Sequence, residues 1–378
     1  MRLLKLYLLP AIWCVSFSVF AQQPLGAAGS PAPAGSAPRS RLPLQVPSVP
    51  PPAAPSAALF PGQIGLNVVV TNRAGKPVSG LSQSNFTLLQ DNHPWPIAAF
   101  HAWNQAAPGP PERLFLAIDT VNIRYDRVAY VREAVDAFLR QNNGRLPYPV
   151  TVLWVTDTGV EANSITTDNG DLLASQVKAA EGKLRLLNRN AGAWGDVEQF
   201  QMSVQMLWQI VDSVAKLPGR KLVVWLGPGW PMLDSPYIML SSSQQTALFQ
   251  QIVGLTTLMR QAQITLYSVS QNISDVDADF YREFLSPVRK VSDANPPNLA
   301  LKVLAAESGG IAMEPTNDLQ RAIDTCAADA QAYYTIVFQP PPARGPNEYH
   351  ALKVRVDDRG LTARTVLGYY AQPPQAKH

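Results

Sequence analysis

Leu114-Phe115-Leu116-Ala117-Ile118-Asp119 is an apolar run that ends on a single carboxylate, and Thr120-Val121-Asn122-Ile123 follows it. An apolar run of this length without alternation fits a strand buried on both faces, as in a parallel sheet covered by helices. Ligands of open α/β sheets bind in the crevice beyond the carboxyl ends of the strands, which places Asp119 and its successors where a site is expected. A hard cation at that place needs oxygen donors. Val121 and Ile123, two and four residues past Asp119, supply none.

Outward from this strand the pattern alternates strand and helix, which predicts a mostly parallel sheet with right-handed crossovers. Val128, Val131, Val135, Phe138 and Leu139 make one helical stripe over 128–141. Val150-Thr151-Val152-Leu153-Trp154-Val155 reads as the second strand, with a weaker one over 160–167. Helices are expected over 172–187 and 198–216, then the strand Lys221-Leu222-Val223-Val224-Trp225-Leu226 after Pro218-Gly219. A helix over 244–261 precedes the strand Ile264-Thr265-Leu266-Tyr267-Ser268-Val269. A short helix over 300–307 closes at Gly309-Gly310, and Ile311-Ala312-Met313-Glu314 leads to a last helix over 318–330.

On either side of this block the chain reads as β. Leu66-Asn67-Val68-Val69-Val70-Thr71 is a β-branched strand, while Phe86–Gln90 and Ile97-Ala98-Ala99-Phe100 flank Asp91-Asn92-His93 as a hairpin. Three more strand-like runs lie near the other end, beginning at Tyr333, Tyr349 and Thr365. So few strands at one end bury too little surface alone. We therefore expect both ends to pair into one small β-sandwich, a discontinuous domain of 62–110 and 331–372 around an α/β domain of 111–330.

The first 21 residues have the order of an export signal: basic Arg2 and Lys5, an apolar stretch, then Val19-Phe20-Ala21. Cleavage after Ala21 would put the mature protein in the periplasm or outside the cell, with no transmembrane span. It would also leave Cys326 as the sole cysteine, so no internal disulfide is expected. Removing Arg2 and Lys5 lowers the net charge from +3 to +1. With no Lys/Arg cluster, nucleic acid is not an expected partner. Residues 22–61 hold eleven of the 34 prolines and read as a Pro/Ala-rich linker.

The order of these segments resembles the von Willebrand factor type A (VWFA) domain, and within it the VWFA-related proteins secreted by acidobacteria. The likeness rests on Val68-Val69-Val70-Thr71 with Gly75-Lys76-Pro77-Val78-Ser79-Gly80-Leu81, Phe86-Thr87-Leu88-Leu89-Gln90-Asp91-Asn92, Leu116-Ala117-Ile118-Asp119-Thr120-Val121-Asn122, Leu304-Ala305-Ala306-Glu307-Ser308-Gly309-Gly310, and Gly360-Leu361-Thr362-Ala363-Arg364 with Gly368-Tyr369-Tyr370-Ala371. It implies a doubly wound sheet with helices on both faces. In metal-binding relatives three loops hold a cation, the first through Asp-x-Ser-x-Ser. Only Asp119 remains of that motif. Ala191-Gly192-Ala193-Trp194-Gly195-Asp196 stands where a Thr would be, and Gly227-Pro228-Gly229 where an Asp would be. The resemblance thus implies a degenerate metal-ion-dependent adhesion site, with no metal and no cofactor.

The candidate binding residues are Asp119, Asn122, Trp194, Gly227, Gly229 and Trp230, with Trp194 and Trp230 read as aromatic contacts or as loop packing. Asp157, ending the second strand, is a further carboxylate to test against Asp119 as a different metal site. His93, His101, His350 and His378 show no metal-like spacing, and solvated positions are expected for them. No Gly-x-Ser-x-Gly elbow occurs, Ser241-Ser242-Ser243 reads as a helix cap, and no catalytic residue is assigned. The expected function is an exported, non-catalytic module that binds a protein or envelope partner. A structural scaffold of the envelope, or a hydrolase using Asp119, Asp157 and a distant His, are the alternatives.

Overall fold

The computed structural model describes residues 62–104, 112–123, 125–162, 166–180, 193–233, 240–271 and 280–373. Within them the chain forms β1 (Ile64–Thr71), β2 (Phe86–Gln90), β3 (His93–Trp95), β4 (Ala99–Asn104) and β5 (Glu112–Asp119), then α1 (Tyr125–Leu139), the one-turn α2 (Gln141–Gly144) and β6 (Arg145–Thr156). There follow β7 (Gly159–Ala162), β8 (Thr167–Asn169), α3 (Gly170–Ala180), α4 (Ala193–Ala215), β9 (Arg220–Leu226), α5 (Ser242–Gln261) and β10 (Ile264–Val269). The last elements are α6 (Leu301–Glu307), α7 (Leu319–Ala328), β11 (Ala332–Phe338), β12 (Glu348–Val356), β13 (Thr362–Arg364) and β14 (Gly368–Ala371).

The central sheet runs β10-β9-β5-β6-β7, with β8 also on β6. Strands β10, β9, β5 and β6 are parallel, with β10 at one edge, and β7 and β8 pair antiparallel with β6. Strand periodicity of two sends alternate residues of β5 to opposite faces. Phe115 and Ala117 pack with Trp225, Leu266 and the buried faces of α4, α5 and α6. Leu114, Leu116 and Ile118 pack with Val224, Val269 and the buried faces of α1, α3 and α7. Each such aliphatic side chain, taken from water, contributes about 1.5–3 kcal/mol. That two-sided burial is why the run at 114–118 shows no polar alternation.

The ends of the described chain meet in two further sheets, both antiparallel. In one, ordered β13-β1-β11-β4, Ile64 opposes Phe338 and Val68 opposes Tyr334. In the other, ordered β14-β12-β2-β3, Leu88 opposes Val354. Leu66, Val68 and Ile336 from the first share a core with Leu88, Val354 and Tyr369 from the second.

Several local expectations need correction. Gln90 pairs directly with His93, so the hairpin partner of β2 is β3, not 97–100. Asp91 and Asn92 both take left-handed conformations (φ 49° and 65°), which closes a two-residue turn one step earlier than the sequence reading placed it. Residues 99–104 pair with β11 in the other sheet. Residues 311–314 make only an isolated bridge from Ala312 to Ser268, because Pro315, without an N–H, follows at once. The helix expected over 198–216 starts at Ala193 instead, with Val197 and Phe200 already buried. The helix expected over 172–187 is described only to Ala180. The expected leader and linker, over 1–61, lie outside the described residues.

Candidate functional site

Asp119 ends β5 with its side chain on the face of the sheet covered by α4 and α5, and it has no solvent exposure. Its carboxylate is already occupied by the chain. The backbone N–H groups of Val121 and Asn122 each donate to Oδ1 at 2.9 Å, which wraps the loop around the strand end. Asn122 Nδ2 donates to Oδ2 at 2.8 Å, and Trp225 Nε1 donates to the same oxygen at 2.9 Å from the neighbouring strand β9. Asn122 Nδ2 also reaches Ser203 Oγ on α4 at 2.8 Å. Burial pushes the Asp119 carboxyl above its ordinary range, and the donors from Asn122, Trp225 and Val121 pull in the opposite direction.

Gly227 is required for this closure. A β-carbon there would lie 2.7 Å from Asp119 Cβ, closer than real β-carbons come, and 3.2 Å from Oδ2. Its N–H donates to Val269 O at 3.0 Å, which ties β9's end to β10. Gly229 turns the chain with φ +89°, a conformation that costs a β-branched or bulky residue dearly. Trp230 is then folded inward. It is 6% exposed and meets Trp225 edge-on, with ring centroids 5.3 Å apart. Of the two readings of Trp230, exposed contact and loop packing, this burial fits loop packing.

The residues present do not fit a divalent cation. Both carboxylate oxygens of Asp119 accept hydrogen bonds from the protein, Val121 and Ile123 are buried and apolar, and Gly227-Pro228-Gly229 has no side-chain oxygen. A cation would have to displace N–H donors that cannot turn into ligands. Asp157 sits in the β6–β7 turn and is not among Asp119's partners. Among the described residues no group of three or more His, Cys, Asp and Glu is placed to hold a metal ion. Trp194 lies in the first turn of α4, not on a loop, and its side chain is outside the described residues.

At the other end of the strands lies a polar cluster that sequence reasoning missed. Asp329 is buried and accepts from Arg364 Nη2 on both oxygens, at 2.9 and 2.8 Å, and from the Tyr267 hydroxyl at 2.7 Å. Its backbone carbonyl accepts from Arg220 Nη1 at 2.7 Å, and Arg220 also meets Glu112 at 3.3 Å and stacks over Tyr333. Burial pushes Glu112 up to about 7, with Arg220 opposing. These contacts join the starts of β5 and β9 to α7, β11 and β13. The signal in the sequence was Arg220-Lys221 leading an apolar strand, but its partners are more than a hundred residues away.

His350 was also misplaced. It is buried on β12, its Nδ1 lies 2.7 Å from Asp91 Oδ2, and its ring stacks on Tyr369. A hydrolase reading would start from this pair. Its Nε2 has no hydrogen-bond partner, and Glu348 Oε1 stands 3.8 Å away, so the imidazole has no hydroxyl or thiol to activate. Ser241 caps α5 as expected, accepting from Gln244 N, and Cys326 is fully buried in α7.

No family model matches the chain, and no curated protein matches it. Solved structures that it resembles include the human COPII-coat protein Sec24c, at 8% identity and TM-score 0.33 over 73% of this chain and 46% of that one. The SpRpn10 VWA domain is similar at 14% identity and TM-score 0.24, covering 43% of this chain and 77% of the domain. The N-terminal domain of TFIIH p34 is similar at 11% identity and TM-score 0.24, covering 42% of this chain and 80% of the domain. The chain thus spans under half the length of Sec24c.

Proposed function

We propose that this chain is an exported, non-catalytic protein-interaction module, a degenerate VWFA domain whose partner binds without a divalent cation. The frame in this reading is a doubly wound sheet over 111–330, and the terminal strands form a small β-sandwich as a discontinuous domain. A single observation carries the proposal: four donors of the chain itself saturate Asp119. That arrangement leaves the carboxylate neither a ligand nor a general base, which argues against both cation-dependent adhesion and hydrolysis. Contact with a partner then falls on the exposed backbone and side chains of the edge loops, with Asp119, Gly227 and Trp230 as their internal support. No helix among the described residues is long and apolar enough to cross a membrane.

Crosslinking followed by mass spectrometry in intact source cells, with and without chelator, tests this reading. A discrete envelope protein captured equally in both conditions is the expected result. Capture that disappears with chelator would reject cation independence, and self-contacts alone would favour a scaffold. N-terminal sequencing of the exported protein should begin at Gln22.

A further inference from the structure

A cleft of about 550 Å³ opens between the β1–β2 connection, the end of α1 with α2, the first residues of β6, and α7. Asp119 opposes Val155 near the end of β6, so this cleft lies toward the other end of the strands. Its size falls within the roughly 300–1,000 Å³ of small-molecule sites. Lys76, Asn142, Tyr148, Arg321, Asp324 and Gln331 are among the residues that line it.

The lining carries an excess of positive charge. Lys76 and Arg321 are exposed and have no ion-pair partner among the described residues. Arg73 and Arg145, next in the chain to the lining residues Ala74 and Leu146, are exposed and unpaired among the described residues too. Asp324 is the sole acid of the lining, and Gln141 Nε2 donates to both its oxygens, at 2.9 and 3.1 Å. Burial pushes its carboxyl above the ordinary range, with Gln141 opposing and Asp318 adding. Asp318 itself is taken up in capping α7, accepting from Arg321 N at 3.0 Å.

The walls are held in place by the chain itself. Asn72 Oδ1 accepts from Ala74 N and Lys76 N at 2.9 and 3.1 Å, and Gly75 N donates to Asn72 O at 2.9 Å. These bonds pin the turn that carries Lys76. Tyr148 donates its hydroxyl to Ala327 O at 3.0 Å, which ties β6 to α7. Asn142 and Asn143 are both left-handed (φ 49° and 56°), and strain of this kind gathers at ligand sites. The side-chain amides of Asn142 and Gln331 are exposed and have no partner among the described residues.

We propose that this cleft binds a compact organic polyanion, a small molecule with two or more carboxylate or phosphate groups on a polar frame. Lys76 stands on the β1–β2 connection and Arg321 on α7, so a molecule that fills the cleft meets both walls. The free amides of Asn142 and Gln331 are left for hydroxyls or carbonyls of the frame. A single small ion would leave most of the volume empty, and a neutral molecule would make no use of the charge. The site is independent of Asp119 and of the partner proposed for the loops at the other end.

Calorimetric titration of the intact protein with citrate, with fructose 1,6-bisphosphate and with glucose, at equal ionic strength, tests the site. One-to-one uptake of at least one of the two acids, and none of glucose, is expected. Which acid binds tells carboxylate from phosphate. Lys76→Met and Arg321→Met should each weaken uptake about tenfold, the scale of one lost charge-assisted contact. Both side chains are exposed, so both variants should fold. Lys353→Met removes an exposed cation on β12, outside the lining, and should leave uptake unchanged. No uptake of either acid, or uptake weakened as much by Lys353→Met as by the cleft variants, would overturn the proposal. Capture of polyglutamate with neither small acid bound would overturn it too, because the ligand would then be a polymer.

Discussion

Asp119 and Asp329 are both buried carboxylates, set toward opposite ends of the central strands, and they are satisfied in different ways. Asp119 accepts only from neutral donors: two backbone amides, the Asn122 amide and the Trp225 indole. Asp329 accepts from a guanidinium and a phenol, with a second guanidinium on its backbone carbonyl. Three of the four Asp119 donors come from the next three residues, so it stitches a loop to its own strand. The partners of Asp329 come from β9, β10 and β13, so it joins the α/β layers to the terminal strands. At the edge where a ligand site is expected, the chain has spent its carboxylate on local closure.

Removing each carboxylate should therefore hurt differently. Asp329→Ala leaves Arg364 and the Tyr267 hydroxyl without their acceptor, while Arg220 keeps the backbone carbonyl, and breaking a buried charged pair costs about 3–5 kcal/mol. Denaturant unfolding should show this loss, and a cost under about 1 kcal/mol would break the comparison. Asp119→Ala strands neutral donors and also relieves a buried carboxyl, so a smaller loss of about 2–4 kcal/mol is expected by the same measurement.

The indole bond sharpens the contrast further. Trp225→Phe and Trp230→Phe remove similar bulk from the same aromatic pair, but only Trp225 donates to Asp119, while Trp230 Nε1 has no partner. Trp225→Phe should cost about 1–2 kcal/mol more than Trp230→Phe. Equal costs would mean that the indole bond contributes nothing.

A pH slope is expected at the charged end. Glu112 has its folded-state pKa raised from 4.5 to about 7 by burial. Its stabilising contribution is therefore full below the unfolded value and lost as pH rises from about 4.5 to 7, at no more than about 1.4 kcal/mol per pH unit. Glu112→Gln should remove that component, so stability of the unmodified protein relative to the variant must fall across this window. A difference that rises instead would reverse the sign assigned to Glu112.

The parallel sheet was legible because runs such as 114–118 and 221–226 have strong, uninterrupted patterns. The absence of oxygen donors two and four residues past Asp119 was equally legible from Val121 and Ile123. Asp119's actual partners were only half visible. Val121 and Asn122 adjoin it, but Trp225 Nε1 arrives from 106 residues away through strand pairing. Trp230 stayed open between exposed contact and loop packing because a Gly-Pro-Gly turn does not reveal which way the next side chain folds. The Asp329–Arg364–Arg220 cluster and the Asp91–His350 pair left no local mark, since each depends on register between distant strands.

Whether Asp119 is closed to metal is tested most directly by calorimetric titration of Mg²⁺ and Ca²⁺ into the intact protein, with Asp119→Ala beside it. Closure by the chain's own donors predicts no stoichiometric uptake of either ion and an unfolding midpoint unchanged by chelator. Tight one-to-one uptake that is lost in Asp119→Ala would contradict it.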